Sequence, residues 1–278
     1  MHDPLKTAAT AALQWHLDAG ADDMLGDVPA AKGRQKPAPD PAPAAAPRAD
    51  SIPLPIPSLG GTGEIKAQAL ALALSCNTLD ALRDAVAGFD GLPIRQTATN
   101  CVFSDGNPHA PVMLVGEAPG ADEDRQGKPF VGVSGQLLDR ILACIGLDRR
   151  AEEAEKSIYI SNILNWRPPG NRTPSPAEID ISLPFIERHI ALVRPRIVIL
   201  CGGVSTKALL GKGEGISKLR GRFHDYIPIT QGVSDTASPI PAMATYHPAY
   251  LLRTPAQKRA VWQDMLLLQK KIKTISLK

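Results

Sequence analysis

Four short apolar runs decide the fold of this chain: PVMLVG at 111–116, IYISNIL at 158–164, RIVILCGG at 196–203 and AMATYHP at 242–248. Each is rich in apolar residues and runs into Gly, Pro or Asn, the pattern of a buried strand whose C-terminal end opens into a loop. Helical periodicity is expected at 65–89, 134–146, 175–193 and 205–210, so strands and helices alternate. That order predicts an α/β domain, a parallel sheet covered by helices on both faces. In such a sheet the loops leaving the strand C-termini build the functional site.

Outward from this core, residues 4–19 place Leu5, Ala9, Leu13 and Leu17 on one helical face, and a helix within 1–27 is expected. Between Val28 and Gly60 lie nine prolines in 33 residues, a density that opposes helix and sheet ladder alike and predicts a Pro/Ala-rich disordered linker over 28–63. A single folded domain is then expected over 64–278. The whole chain has 278 residues and a formal net charge of +3, which excludes a highly basic packaging protein. A start lacking a basic n-region followed by an apolar stretch, together with the lack of a long uninterrupted apolar segment, predicts a cytoplasmic protein. Four cysteines, Cys76, Cys101, Cys144 and Cys201, stand far apart with no C-x-x-C pair, and are expected to be free thiols packed as small hydrophobes.

The unusual residues sit in the predicted loops. After the first strand comes GEAPG at 116–120, then Asp122, Glu123 and Asp124, then GKPFVG at 127–132; after the second come Asn162 and RPPGNR at 167–172; the fourth runs into YHPAYLLR at 246–253. Taken singly, Gly and Pro mark a turn, an acidic run is solvated, and His-Pro starts a helix. Three such clusters at one sheet edge point instead to a pocket. A carboxylate (Glu117 or Glu123), the Asn162 amide, the His247 imidazole and the Phe130 ring suit a flat heterocyclic base: the amide offers a donor and an acceptor side by side, and imidazole can donate to an oxygen gaining negative charge. Arg167, Arg172, Lys218, Arg220, Arg222 and Arg253 give the same edge a basic face for phosphates.

The stretches GEAPGADEDRQGKPFVGVSGQLLDRIL, YISNILNWRPPGNRTPSPAEI, GISKLRGRF and YHPAYLLR, in that order, resemble the successive motifs of the uracil-DNA glycosylase superfamily, most closely its family 4. The resemblance spans roughly residues 70 to 270. It implies a three-layer α/β/α fold with a central four-stranded parallel sheet and a monomeric enzyme that removes uracil from single- or double-stranded DNA. It implies that Glu117 and Glu123 orient water or stabilise a cation, and that His247 bonds the uracil carbonyl oxygen. Phe130 would stack on the extruded base, Asn162 would read its edge, and Ala118 and Gly120 would lie against it. Leu251 stands where a wedge could fill the gap in the base stack. Glu123 and Ala121 are the candidates for excluding a thymine methyl.

Family 4 enzymes usually hold a [4Fe–4S] cluster on four cysteines. The corresponding positions here are Phe89, Leu92, Trp166 and Ser182, none able to supply a thiolate, so no cluster and no cofactor are expected, with the first three as apolar filling. One branch of the superfamily traps uracil covalently through a His in a basic insert that this chain lacks; His224 is the only nearby histidine and is expected to face solvent or phosphate. The alternative to an enzyme is a non-catalytic or covalent uracil-DNA-binding module, tethered to a protein partner by the N-terminal helix and linker.

Overall fold

The computed structural model describes residues 61–234 and 238–276, so the helix and nearly all of the linker expected at 1–63 lie outside the described residues. The sheet has six strands: β1 (Asp105–Gly106), β2 (Val112–Gly116), β3 (Tyr159–Asn162), β4 (Ile197–Cys201), β5 (Phe223–Tyr226) and β6 (Ile240–Thr245), in the order β1-β3-β2-β4-β6-β5. The four expected strands form its parallel centre, with β2 pairing both β3 and β4, and β4 pairing β6. The expectation of four strands is corrected by two antiparallel edges, β1 on β3 and β5 on β6. Neither edge shows an apolar run: β1 is a two-residue Asp-Gly, and β5 is FHDY.

Strand side chains alternate between two cores. Met113, Val115, Val198 and Leu200 pack on one face, and Val112, Leu114, Ile197 and Ile199 on the other. Both faces are buried, so the strands read as continuous apolar runs. The first face is covered by α1 (Thr62–Ser75), α2 (Leu79–Gly88) and α5 (Pro176–Val193). The second is covered by α4 (Val133–Ala143) and α9 (Lys258–Ser276). Shorter helices fill the loops: α3 (Ala121–Gln126), α6 (Gly203–Leu210), α7 (Ile216–Leu219) and α8 (Pro248–Arg253).

The single helix expected over 65–89 is two helices. α1 ends at Cys76, and the Thr78 hydroxyl accepts from the Ala81 amide to start α2 in a new direction. α5 begins with a capping box, Ser175 Oγ accepting from the Glu178 amide and the Glu178 carboxylate from the Ser175 amide. Of the cysteines, Cys76 and Cys201 are buried, Cys101 is half-buried and Cys144 is exposed, which corrects the expectation for Cys144. Burial pushes the Cys101 thiol up to about 11 and the Cys201 thiol to about 12, so both stay protonated.

β2 leads to β3 on one side and β4 adds on its other side, so the strand order reverses beside β2. The C-terminal ends of β2 and β3 are in register, Gly116 opposite Asn162, and those of β4 and β6 likewise, Cys201 opposite Thr245. The crevice above this reversal is where an open α/β sheet binds its ligand.

Candidate active site

A cleft of about 490 Å³ opens there, lined by Glu117, Ala118, Pro119, Gly120, Glu123, Phe130, Ser134, Asn162, Pro168, Asn171, Arg172, Thr173, His247, Ala249, Tyr250 and Arg253. It brings together the expected Glu117, Glu123, Phe130, Asn162 and His247, and also Ala118, Gly120, Arg172 and Arg253. Ser134, Asn171, Thr173 and Tyr250 were not singled out by sequence reasoning: each lies within a quoted motif stretch, and nothing in its residue type sets it apart there.

Asn162 is the last residue of β3 and is 2% exposed, yet its Oδ1 has no hydrogen-bond partner among the described residues. A buried polar atom without a partner costs about 1–3 kcal/mol, a cost a binding site can recover from its ligand. The space before it depends on Gly116, where a Cβ would stand 2.3 Å from Asn162 Oδ1 and 2.6 Å from the Phe130 ring. The slot between amide and ring is thus kept open by the absence of one methyl group.

His247 caps α8, its Nδ1 accepting from the Ala249 amide at 3.2 Å. That bond fixes the tautomer that carries hydrogen on Nε2. Burial, and then the Arg253 cation, push the imidazole down to about 4 against an opposing pull from Glu123. The ring is therefore neutral at physiological pH and can donate from Nε2 without carrying a charge into the cleft. Gly202, at φ +101°, lets the end of β4 pass His247 with only 3.3 Å available to a Cβ. The reading of His-Pro as a helix start is correct, and the same residue lines the cleft.

The two carboxylates differ in what they touch. Glu123 is 8% exposed and fully occupied: Oε2 accepts from the Gly120 amide, and Oε1 from the Val131 and Gly132 amides at 2.9 Å each. A carboxylate holding three backbone N–H groups braces the loop that carries Phe130. Glu117 is half-buried, its carboxylate has no hydrogen-bond partner among the described residues, and it is raised above its ordinary 4.5 by burial. It is the carboxylate free to act. Glu123 also cannot swing to meet a thymine methyl, and Ala121 is exposed outside the cleft lining.

Phe130 is 5% exposed and adopts φ +54°, a left-handed conformation that costs a non-glycine residue about 1–2 kcal/mol. Strain of this kind persists only where the surroundings impose it.

The expected basic face is divided. Lys218, Arg222 and Arg253 are exposed. Arg167 is half-buried and donates to Asn171 Oδ1, and Arg172 donates to both oxygens of Glu178 while keeping an exposed edge at the cleft. Arg220 is corrected: its guanidinium is paired with the fully buried Asp264 and lies over the Tyr246 ring, holding α9 to the end of β6. Leu251 is corrected too. It is 0% exposed, on the inner side of α8 within the second core, because Tyr250 and Arg253 take the cleft-facing positions of that helix. His224 is buried, with Nε2 at 2.8 Å from the Leu219 carbonyl and Nδ1 at 3.1 Å from Lys212 Nζ, so it does not face solvent.

Of the four positions corresponding to cluster ligands, Phe89, Leu92 and Trp166 are buried in the first core, Phe89 edge-on to Phe185 at 5.2 Å, and Ser182 is buried on α5, its Oγ without a hydrogen-bond partner among the described residues. Three apolar side chains and one hydroxyl do not fit a thiolate-ligated cluster. Among the described residues no group of three His, Cys, Asp or Glu side chains could hold a metal ion.

Comparison with known proteins agrees with this geometry. The sequence profile of the Uracil DNA glycosylase superfamily matches residues 103–266. The chain is 35% identical over 193 residues to the type-4 uracil-DNA glycosylase of Pyrobaculum aerophilum, covering 68% of this chain and 92% of that relative. It is 31% identical over 190 residues to the type-4 uracil-DNA glycosylase of Thermotoga maritima, covering 67% and 91%. The type-5 uracil-DNA glycosylase of Thermus thermophilus is 30% identical over 148 residues, 49% of this chain and 66% of that relative. With more than half its length matched and the cleft at the expected strand ends, the chain belongs to the uracil-DNA glycosylase superfamily.

Proposed function

We propose that this protein is a monofunctional uracil-DNA glycosylase that takes an extruded uracil into the Phe130–Asn162–His247 cleft and hydrolyses its N-glycosidic bond, leaving an abasic site for base excision repair. The observation that carries the reading is the buried Asn162 Oδ1, unpartnered among the described residues, beside a slot bounded by an aromatic ring and a neutral imidazole.

Extrusion costs a few kcal/mol and is easiest from a single strand or a weak pair. Phe130 offers the base a flat face, and Asn162 satisfies the donor and acceptor of its edge. As the bond from the sugar C1′ to uracil N1 breaks, its electron pair moves onto the base. His247 Nε2–H donates to the carbonyl oxygen that gains the charge, which lowers the barrier without a proton being transferred. The sugar is left as a cation. Glu117, basic at neutral pH yet raised by burial, accepts a proton from water as its oxygen bonds C1′, and that proton balances the departing uracil anion. Lys218, Arg222, Arg253 and the exposed edge of Arg172 would hold phosphates on either side of the extruded nucleotide.

No step needs a metal or cluster. The side chains at Phe89, Leu92, Trp166 and Ser182 support the reading that this chain folds without the iron–sulfur cluster of family 4, and purified protein should lack both an absorbance shoulder near 400 nm and stoichiometric iron.

The test of function is incubation with uracil-containing single- and double-stranded oligonucleotides followed by alkali. Strand scission at the uracil is expected. DNA that is shifted in a gel yet remains intact after alkali would sink the proposal and favour a binding module.

A further inference from the structure

The strained backbone of Phe130 is held from behind by a residue that neither the motifs nor the cleft lining includes. Arg149 lies between α4 and β3 with its side chain 7% exposed. One terminal nitrogen donates to the Pro129 carbonyl at 2.8 Å, and the other to the Phe130 carbonyl at 3.0 Å. These carbonyls belong to the two peptide units that flank the Phe130 Cα, so gripping both fixes φ and ψ of Phe130 together. The far end of the second unit is the Val131 amide, which donates to Glu123. That peptide plane is pinned at its oxygen by a cation and at its nitrogen by an anion.

Arg149 is itself immobilised. Its Nε donates to Asp139 Oδ1 at 2.9 Å, a terminal nitrogen lies 2.7 Å from the same oxygen, and Asp105 of the edge strand β1 stands 3.3 Å away. The planar fork of guanidinium can serve two carbonyls and a carboxylate at once, whereas an ammonium at the end of a flexible stem cannot match those directions. α4 approaches this loop so closely that a Cβ on Gly135 would stand 1.9 Å from the Phe130 oxygen, which leaves the carbonyl no alternative direction.

We propose that Arg149 is the positioning residue of the Phe130 platform, setting the plane against which the extruded base stacks and acting on the reaction only through that ring. The proposal rests on the stacking role given to Phe130 above. It also accounts for the pairing of β1, whose Asp105 joins the edge of the sheet to the platform.

The experiment is a double-mutant cycle of Arg149→Lys and Phe130→Ala, read as the saturated single-turnover rate on a uracil-containing single-stranded oligonucleotide, beside gel-shift affinity for the same DNA carrying an uncleavable uridine analogue. Misplacement of a reacting group by about 1 Å can cost about a hundredfold, so Arg149→Lys is expected to slow the rate by roughly tenfold or more while affinity changes less than about twofold. In the Phe130→Ala background the same substitution should have almost no further effect, since residues acting as one unit are not additive. Asp139→Asn, which loosens Arg149 without removing it, should act in the same direction more weakly, and it carries the cycle if Arg149→Lys does not fold. Full multiplicative slowing in the Phe130→Ala background would overturn the role of Arg149 and leave stacking intact. A near-normal rate for Phe130→Ala alone would remove stacking and this proposal together.

Discussion

The Phe130 and His247 rings lie against each other, centroids 5.3 Å apart and planes inclined by 28°, although they arrive on loops from β2 and β6 with β4 between those strands. The contact joins the stacking surface to the hydrogen-bond donor, so the position of one ring defines the position of the other. The Asn162 amide closes the same slot from β3. Truncation of either polar group should therefore remove a donor fixed before the reaction begins, an effect worth about 2.7–4 kcal/mol, or two orders of magnitude and more in rate. Single-turnover uracil release by His247→Ala and Asn162→Ala measures this; near-normal rates in both would remove the assignment.

Gly116 makes a sharper test of the slot. Gly116→Ala adds one methyl group, which would meet both Asn162 Oδ1 and the Phe130 ring well inside contact distance. The variant should be as slow as Asn162→Ala while still binding DNA through the basic face. A rate within about threefold of the native protein would show that the base does not enter between these groups, since misplacement alone costs far more.

The two carboxylates should separate cleanly into chemistry and scaffold. The Glu117 carboxylate has no partner among the described residues, so Glu117→Gln should slow the reaction and leave the denaturation midpoint almost unchanged. Glu123→Gln places an amide donor against backbone donors, and each charge-assisted bond lost is worth about 1.5–3 kcal/mol. Its first effect should be on stability, read from urea unfolding. The reverse pattern would return the chemical role to Glu123.

This division was beyond the sequence, where both residues appear simply as acids of one motif. Which one is free depends on where the amides of Gly120, Val131 and Gly132 point. The parallel strands were legible because burial on both faces makes them largely apolar runs. The edges β1 and β5 were not, because an edge strand can be short and polar and still complete its ladder. Asn162, Phe130 and His247 were legible as unusual residues at strand ends. Leu251 was not legible as a core residue, because its place in the motif does not show the phase of α8, which turns it inward. Thr78, by contrast, was a readable cap within the run taken as one helix.

The inward position of Leu251 has a measurable consequence. Leu251→Ala should leave a cavity and cost about 2–5 kcal/mol of stability. It should not alter the ratio of rates on single- and double-stranded substrates, as loss of a base-stack wedge would. A preferential loss on duplex DNA, with stability intact, would reinstate the wedge.

Acidity should act through different groups on rate and on stability. His247 is held at about 4 and the fully buried His189 at about 3, against an ordinary value of 6.5. Between pH 6.5 and 4 the unfolded chain binds protons on these rings and the folded chain does not, so stability should fall as pH drops through that window and be flat above it. The acid limb of the rate should instead follow Glu117, raised above 4.5 by burial, and should disappear in Glu117→Gln. A limb centred at 6.5 that vanishes on substituting His247 would show that the imidazole changes charge during turnover.

The basic face can be resolved by salt. Each cation that neutralises a phosphate contributes about 0.9 to the slope of log affinity against log salt concentration for duplex DNA. Lys218→Ala and Arg222→Ala remove exposed charges and should each reduce the slope by nearly that amount with little effect on folding. Arg220→Ala should behave differently, because its guanidinium is committed to Asp264, whose carboxyl is 0% exposed and raised by burial even with the cation and Thr245 beside it. Breaking a buried pair from one side costs about 3–5 kcal/mol. The expected result is a lower unfolding midpoint with an unchanged salt slope, and a reduced slope at unchanged stability would instead place Arg220 on the phosphates.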